Sequence, residues 1–142
     1  MHDYFEPQPV TDASVFILRN ILHNWSDKYC TKILQRLRDA AAPHTQLLVI
    51  DNLVAYACVD ERMNAVPGAA TPLPPAPLLP NNGHANALAY YEDLLMLELL
   101  NGKQRTVAEM RVLLEETGWK LARVVQSELS GFSAQKVIAV PA

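Results

Sequence analysis

Residues 15–54, VFILRNILHNWSDKYCTKILQRLRDAAAPHTQLLVIDNLV, decide the fold that this chain can adopt. Val15–Leu22 and Gln46–Val54 are apolar runs rich in branched side chains, which is typical of parallel strands buried on both faces. Between them, Ser26 is suited to cap a helix whose apolar residues recur at helical spacing as far as Pro43. A strand, a helix and a second strand in this order predict a βαβ unit with parallel strands and a right-handed crossover.

The middle of the chain predicts a long connection followed by two helices. Residues 60–86 hold most of the prolines, and proline neither donates a ladder hydrogen bond nor continues a helix, so we expect a connection over the mouth of a site rather than a core element. A helix is predicted from Asn86 to Asn101-Gly102, a pair of residues suited to ending it. Thr106-x-x-Glu109 is a capping box that opens a shorter helix, which Gly118 closes.

The carboxyl-terminal residues predict an antiparallel hairpin. Trp119–Leu129 and Gln135–Val140 are typical of strands, and Ser130-Gly131 between them is a suitable turn. Together with the βαβ unit, the hairpin makes the predicted fold class α/β, with parallel strands and an antiparallel end.

Composition and charge exclude several classes of protein. The 142 residues suffice for one domain with a core, and 50% hydrophobic against 19% charged residues is typical of a globular chain. The formal net charge is −3 and no basic run is present, so nucleic acid is not an expected partner. No apolar run reaches the ~18 residues of a membrane helix, and no secretory signal pattern begins the chain. Cys30 and Cys58 lack the spacing of a metal or redox pair, so we expect a reducing, cytoplasmic location.

The glycines all lie in the second half of the chain. The first of them is Gly68, so residues 1–67 contain no Gly-rich turn that could bring the backbone close to a nucleotide-like cofactor. A glycine loop near the start of this chain therefore does not hold its ligand.

Polar residues stand at the carboxyl ends of the two predicted parallel strands, where open α/β sheets bind ligands. His23 follows the first strand and Asp51 lies near the end of the second. Neighbouring strands are ~4.8 Å apart, so this imidazole and this carboxylate can meet and form a general base oriented by an acid. The alternative is a histidine at a helix entry and an aspartate in a turn, without a chemical role. Arg19 shares a predicted strand face with His23 and needs an anionic partner, either a ligand carboxylate or a structural acidic residue.

Residues 21–27, ILHNWSD, resemble the LHDWSD segment of the plant and fungal S-adenosylmethionine-dependent O-methyltransferases, the family typified by caffeic acid O-methyltransferase. The surrounding residues 2–40 look like the fungal form of that family. LLVIDNLV at 47–54 and LLNGKQRTVAEMRVLLEETGWKL at 99–121 resemble later blocks of the same family. The resemblance covers nearly the whole chain.

The resemblance implies catalytic roles for three residues. The family's base, which takes the proton from the substrate hydroxyl, falls on His23, and the carboxylate that orients it falls on Asp51, where plant members usually have Glu. A second carboxylate belongs to the family segment GKERT, but this chain has the amide Gln104 at that position. An amide accepts a hydrogen bond but does not stabilise an imidazolium by charge.

The resemblance also implies a cofactor and an acceptor. Family members pass a methyl group from S-adenosylmethionine, without a metal, to a hydroxyl, commonly phenolic, of a small aromatic molecule. Asp3 and Tyr4 match the pair that contacts the cofactor's adenine, and Arg19 matches a lysine that holds its methionyl end. The family's GGGxG loop, which holds much of the donor, is not found in this sequence.

As a fold, the resemblance implies the second half of a Rossmann-like seven-stranded sheet. Residues 1–142 are then part of a catalytic domain, with 60–86 as an inserted Pro-rich loop and without the helical domain through which the family forms homodimers. The family's strand order leaves Val15–Leu22 at an open edge. It also places the last strand, Gln135–Val140, between Gln46–Val54 and Trp119–Leu129. Two functions follow as hypotheses: an O-methyltransferase, or its catalytic part, with His23 as general base, and a truncated, non-catalytic relic or interaction module.

Overall fold

The computed structural model of the chain describes residues 2–60, 65–70, 73–126 and 135–142. Two 3₁₀ turns, Leu22–Asn24 and Gly83–Asn86, accompany the regular elements. The first of these carries His23 and is called the histidine turn below. The strands are β1 (Val15–Arg19), β2 (Gln46–Asp51), β3 (Trp119–Val125) and β4 (Gln135–Pro141), and the helices are α1 (Asp27–Asp39), α2 (Ala87–Leu100) and α3 (Val107–Glu116).

The strands form one mixed sheet in the order β1-β2-β4-β3. β1 and β2 are parallel, and β4 is antiparallel to both β2 and β3. The α/β fold class is therefore confirmed, together with the predicted βαβ unit and the strand order that the resemblance implies. The turn predicted at Ser130-Gly131 lies outside the described residues.

A single core joins the sheet to α1 and α3. Alternate residues of β1 and β2 point into it, and the apolar stripe of α1 covers them, as the helical spacing predicts. Trp119 is fully buried at the start of β3, and its Nε1 donates a hydrogen bond to the Leu34 carbonyl at 3.1 Å. The capping box at Thr106 and Glu109 is present in both directions, so α3 begins where the sequence predicts. The α1 and α3 side chains in the core are Cys30, Ile33, Leu34, Leu37, Val107, Met110, Leu113 and Leu114.

The prediction that the first strand is buried on both faces is wrong. Phe16 and Leu18 are buried, but Val15 and Ile17, on the opposite face, are 45% and 62% exposed. The strand also ends at Arg19 instead of Leu22, because Asn20 adopts a left-handed backbone conformation with φ of 53° and turns the chain away. The second strand likewise ends at Asp51, three residues before the predicted Val54.

The Pro-rich connection is irregular in its described parts, as predicted, but it is not wholly outside the core. No α-helix or strand occurs in 65–70 or 73–82. However, Val66 and Ala69 are buried, and the Pro67 carbonyl accepts a hydrogen bond from the Val124 amide at 2.9 Å. A Cβ on Gly68 would lie 2.0 Å from the Val124 carbonyl oxygen, so this close approach requires glycine. The connection therefore also packs against β3.

Helix α2 is rich in apolar side chains, which do not gather on one face, and contains no buried residue. Leu94 and Tyr91, for example, are 59% and 61% exposed. The helix ends as predicted, with Asn101 in the left-handed conformation and the Gly102 amide bonded to the Met96 carbonyl. Its main contacts with other elements are to the two 3₁₀ turns. None of the described helices is both long enough and apolar enough for a membrane span.

We expect the chain to self-associate, because β1 presents an open strand edge and an apolar outer face. Ile17→Lys places a charge on that face and should lower the apparent mass in light scattering at a fixed protein concentration. Val112→Lys is the matched control, since Val112 is also exposed, at 49%, but lies on α3. Equal effects of the two substitutions would mean that β1 is not the contact surface.

Candidate active site

The carboxyl ends of β1 and β2 bring His23 and Asp51 together. Arg19 pairs with Ile50, and the Asn20 amide still bonds to the Ile50 carbonyl, so the chain leaves β1 beside the end of β2. The histidine turn then places the Nδ1 atom of His23 3.4 Å from the Oδ1 atom of Asp51. Their side chains are only 14% and 3% exposed. The two residues that the sequence places at strand ends are thus neighbours in the structure.

Burial dominates the electrostatics of this pair. It raises the pKa of Asp51 to about 7, against the charge of Arg105 and the backbone amides of Leu22 and His23, which act to lower it. Burial also lowers the pKa of His23. Neither oxygen of Asp51, nor Nδ1 of His23, has a hydrogen bond of good geometry to a described residue. Burial therefore favours the uncharged forms of both side chains over an ion pair.

Gln104 completes the group that the resemblance assigns to catalysis. It is 4% exposed, and its side-chain amide lies close enough to His23 to raise the pKa of the imidazole, opposing burial. Its backbone amide donates to Oδ1 of Asp93 at 2.7 Å. Within the described part of the chain, its Oε1 atom has no well-aligned donor. His23, Asp51 and Gln104 consequently share one buried polar pocket.

Residues 102–106, which we call the strap, bind the back of the histidine turn. The Lys103 amide donates to the His23 carbonyl at 3.0 Å. A Cβ on Gly102 would lie 2.0 Å from that carbonyl oxygen, so only glycine allows the approach. On its other side the strap is tied to the chain beyond β2, because Leu53 pairs with Arg105 and the Val54 amide bonds to the Arg105 carbonyl.

Arg105 is the residue that sequence reasoning missed most completely. Its guanidinium donates to the Leu22 carbonyl at 2.7 Å, to the Trp25 carbonyl at 2.9 Å and to Oδ1 of Asp27 at 2.7 Å. The side chain is 2% exposed, so these partners replace almost all of its water. Leu22 and Trp25 stand on either side of His23, so one cation fixes both ends of the histidine turn. In the sequence, Arg105 stands directly before the capping box of Thr106 and Glu109. A basic side chain at such a position is ordinarily expected to be solvated.

Asp27 connects this arrangement to solvent. Burial raises the pKa of Asp27, but the bonds from Arg105 and Lys103 outweigh that effect and the net shift is downward. Nζ of Lys103 lies 3.1 Å from Asp27 and 3.1 Å from Glu109. The first-turn aspartate predicted for α1 thus also serves as the counterion of the buried arginine.

The residues assigned to the cofactor by resemblance occupy separate places. Oδ1 of Asp3 accepts a hydrogen bond from the Phe5 amide at 2.9 Å. The half-buried ring of Tyr4 lies 4.9 Å from the Phe5 ring and 6.3 Å from Trp25, measured between centroids. Arg19 is exposed at the end of β1 and has no ion pair with a described residue, so the structural acidic partner is not observed. The roles of these three residues toward a cofactor stay predictions.

Two acidic residues of α2, Glu92 and Asp93, also reach the site and were not singled out from the sequence. Oε2 of Glu92 accepts a hydrogen bond from Nδ2 of Asn52 at 2.6 Å, and Asp93 binds the Gln104 amide. The sequence did contain a signal for them, because these two acidic residues are consecutive in a helix that is mostly apolar. In the described ranges, no three His, Cys, Asp or Glu side chains form a group that could hold a metal ion.

Comparison with known proteins identifies the family. The sequence profile of the O-methyltransferase domain matches residues 2–67. The 4-O-methyltransferase 1 of Phanerochaete chrysosporium is 49% identical over 144 residues, a match that covers 99% of this chain and 31% of that protein. The chain belongs to the O-methyltransferase family. It spans about a third of the length of that relative.

Solved structures agree with this O-methyltransferase assignment. The mitomycin 7-O-methyltransferase MmcR is 26% identical with a TM-score of 0.71, and the match covers 99% of this chain and 33% of that one. Human N-acetylserotonin methyltransferase, solved in complex with SAM, has a TM-score of 0.66 over 99% of this chain and 32% of its own. Its identity is 24%, so that likeness concerns the fold alone.

Replacing Arg105 by Met should strongly destabilise the folded chain. The substitution leaves two buried carbonyls without their donor, so we expect the free energy of unfolding in urea to fall by about 2–5 kcal/mol. Arg111→Met on α3 is the control, because its Nε is 3.7 Å from Glu115 and the side chain is 35% exposed. A loss no larger than that of the control would contradict a structural role for the Arg105 contacts.

The raised pKa of Asp51 predicts a pH-dependent stability. The folded chain holds the Asp51 proton more tightly than the unfolded chain, so this group's contribution is fully present below the unfolded pKa of 3.8 and is lost as pH rises through about 7. Asp51→Asn removes this titration. The stability of the variant relative to the parent should therefore increase between about pH 4 and pH 7 and then level off. Urea unfolding of both proteins across that range measures the difference, and a pH-independent difference would show that burial does not raise this pKa.

Proposed function

We propose that this chain carries the catalytic base of an S-adenosylmethionine-dependent O-methyltransferase that methylates a hydroxyl, phenolic in character, of a small molecule. The observation that supports the proposal is the pairing of His23 with Asp51 at the carboxyl ends of two parallel strands, 3.4 Å apart. This edge of an open α/β sheet is where ligands commonly bind. The family assignment supplies the reaction class, and the pair supplies the proton chemistry.

The geometry suggests which ring nitrogen of His23 reacts. Nδ1 is buried and faces Asp51. A proton on Nδ1 is then stabilised by the carboxylate, which leaves the lone pair of Nε2 to accept a proton from the acceptor hydroxyl. A phenol has a pKa of ~10 and is mostly protonated at neutral pH, so removal of its proton assists attack by the oxygen.

The residues that would hold S-adenosylmethionine are Asp3, Tyr4 and Arg19. The exposed guanidinium of Arg19, without a protein counterion in the described residues, suits a ligand carboxylate, and the half-buried Tyr4 ring suits an aromatic base. When bound, the cofactor supplies an electrophilic methyl group.

A second candidate function is a non-catalytic module of the same fold. The neutral amide of Gln104, at a position where the resemblance implies a carboxylate, favours it. The two candidates differ in whether His23 contributes to turnover.

A chimaeric enzyme distinguishes the two candidate functions. In this chimaera, residues 1–142 replace the matching segment of the Phanerochaete chrysosporium relative. At pH 7 with saturating cofactor, His23→Ala should lower the rate of methyl transfer by ~10²–10⁴-fold, because general-base catalysis is lost. The loss should shrink near pH 10, where a phenol ionises without a base. Affinity for the demethylated cofactor, measured by calorimetry, should change little.

His44→Ala is the control for this experiment, because His44 is exposed between α1 and β2. An active chimaera whose turnover is unaffected by His23→Ala would reject the role of base. A chimaera that folds and binds cofactor but transfers no methyl group would favour the non-catalytic candidate.

A further inference from the structure

A proton on His23 creates a charge that the site must stabilise. The N–H bond forms at Nε2 as the acceptor O–H bond breaks, and the electron pair stays on the oxygen that attacks the methyl group. The ring then carries a positive charge in a largely buried pocket, with the guanidinium of Arg105 also acting on it unfavourably. Burial disfavours the ionised form of Asp51, and Gln104 is neutral. The residues assigned so far therefore leave much of the imidazolium charge unbalanced.

Glu92 lies where it can supply the missing negative charge. Helix α2 packs directly against the histidine turn. The Glu92 carboxylate is held by Asn52, whose Nδ2 donates to Oε2 at 2.6 Å. Asn52 directly follows Asp51, so this hydrogen bond joins α2 to the end of β2 beside the catalytic pair. In agreement with this placement, the charge of Glu92 raises the pKa of His23.

A neighbouring contact fixes the orientation of α2. Oδ1 of Asp93 accepts a hydrogen bond from the Gln104 amide at 2.7 Å, so consecutive residues of the helix bind two different walls of the site. Two anchors one residue apart restrict rotation of the helix about its axis, because such a rotation would break at least one of them. The carboxylate of Glu92 is thereby held beside Asn52, the residue that follows Asp51.

We propose that Glu92 is a positioning residue for the reaction, and that its carboxylate stabilises the protonated imidazole of His23, which the amide Gln104 does not do. This inference rests on the proposed role of His23. The charged groups that act on the ring are Asp51 from β2, Arg105 from the strap and Glu92 from α2. Among them, Glu92 is the acidic group that a hydrogen bond from Asn52 holds in place.

The test is an NMR titration of the His23 ring in the 142-residue chain. The His23 Cε1–H signal is assigned by its disappearance in His23→Gln. Glu92→Gln should lower the pKa of His23, because it removes a negative charge and leaves the shape of the side chain unchanged. Glu98→Gln is the matched control, since Glu98 is an exposed acidic residue on the same helix, and it should leave the pKa where it is. Identical titrations of Glu92→Gln and the parent chain would overturn the proposal, as would an equal shift in Glu98→Gln.

A second pair of variants distinguishes charge from structure. Glu92→Asp keeps the charge and should retain part of its effect on the pKa of His23. Adding Gln104→Glu to Glu92→Gln should raise the pKa again, because it restores a carboxylate beside the ring. A pKa that falls in Glu92→Asp as far as in Glu92→Gln, and that Gln104→Glu does not restore, would mean that the helix acts through packing and would overturn the proposal. These titrations need no methyl transfer, so their failure is distinct from a failure of His23→Ala to reduce turnover.

Discussion

The guanidinium of Arg105 holds together segments that lie 78 to 83 positions apart in the sequence. An arginine is expensive to bury, and here the Leu22 and Trp25 carbonyls and the Asp27 carboxylate satisfy it almost completely. Because the two carbonyls flank His23, its backbone is fixed before any ligand arrives. The close approach of Gly102 and the Lys103 amide to the His23 carbonyl adds a third point of support. The position of the imidazole is therefore set by the strap.

The sheet contributes the other half of the geometry. A parallel pairing of β1 with β2 places the carboxyl ends of both strands at the same edge, and this is why residues 28 positions apart, His23 and Asp51, become neighbours. Burial lowers the pKa of His23 and raises the pKa of Asp51 to about 7, so it favours the neutral form of each group. Groups that interact at this distance share their protons, so their titration belongs to the pair. A site of this kind takes up or releases a proton near neutral pH at a small energetic cost.

Local patterns predicted much of this molecule. The βαβ unit, the capping box at Thr106, the end of α2 at Asn101 and the terminal hairpin follow from periodicity and from residues with strong conformational preferences. The meeting of His23 and Asp51 was predictable, since strand ends in a parallel pair coincide. What local patterns did not show depends on tertiary contacts. Arg105 reads as a surface residue until the fold buries it, and Glu92 gains its neighbours only when α2 docks on the histidine turn.

Helix α2 has an unusual combination of properties. It buries no side chain, and polar contacts of Glu92 and Asp93 tie it to the rest of the site. Elements with few buried apolar contacts open with a smaller free energy than the core, and their amide protons exchange with solvent earlier. We therefore expect slow amide exchange in the sheet, α1 and α3, and faster exchange in α2, which carries the acidic groups. Local opening of this one helix would expose the His23 ring to water and remove the negative charge of Glu92 in the same event. The pKa of His23 is therefore coupled to the access of solvent to the site.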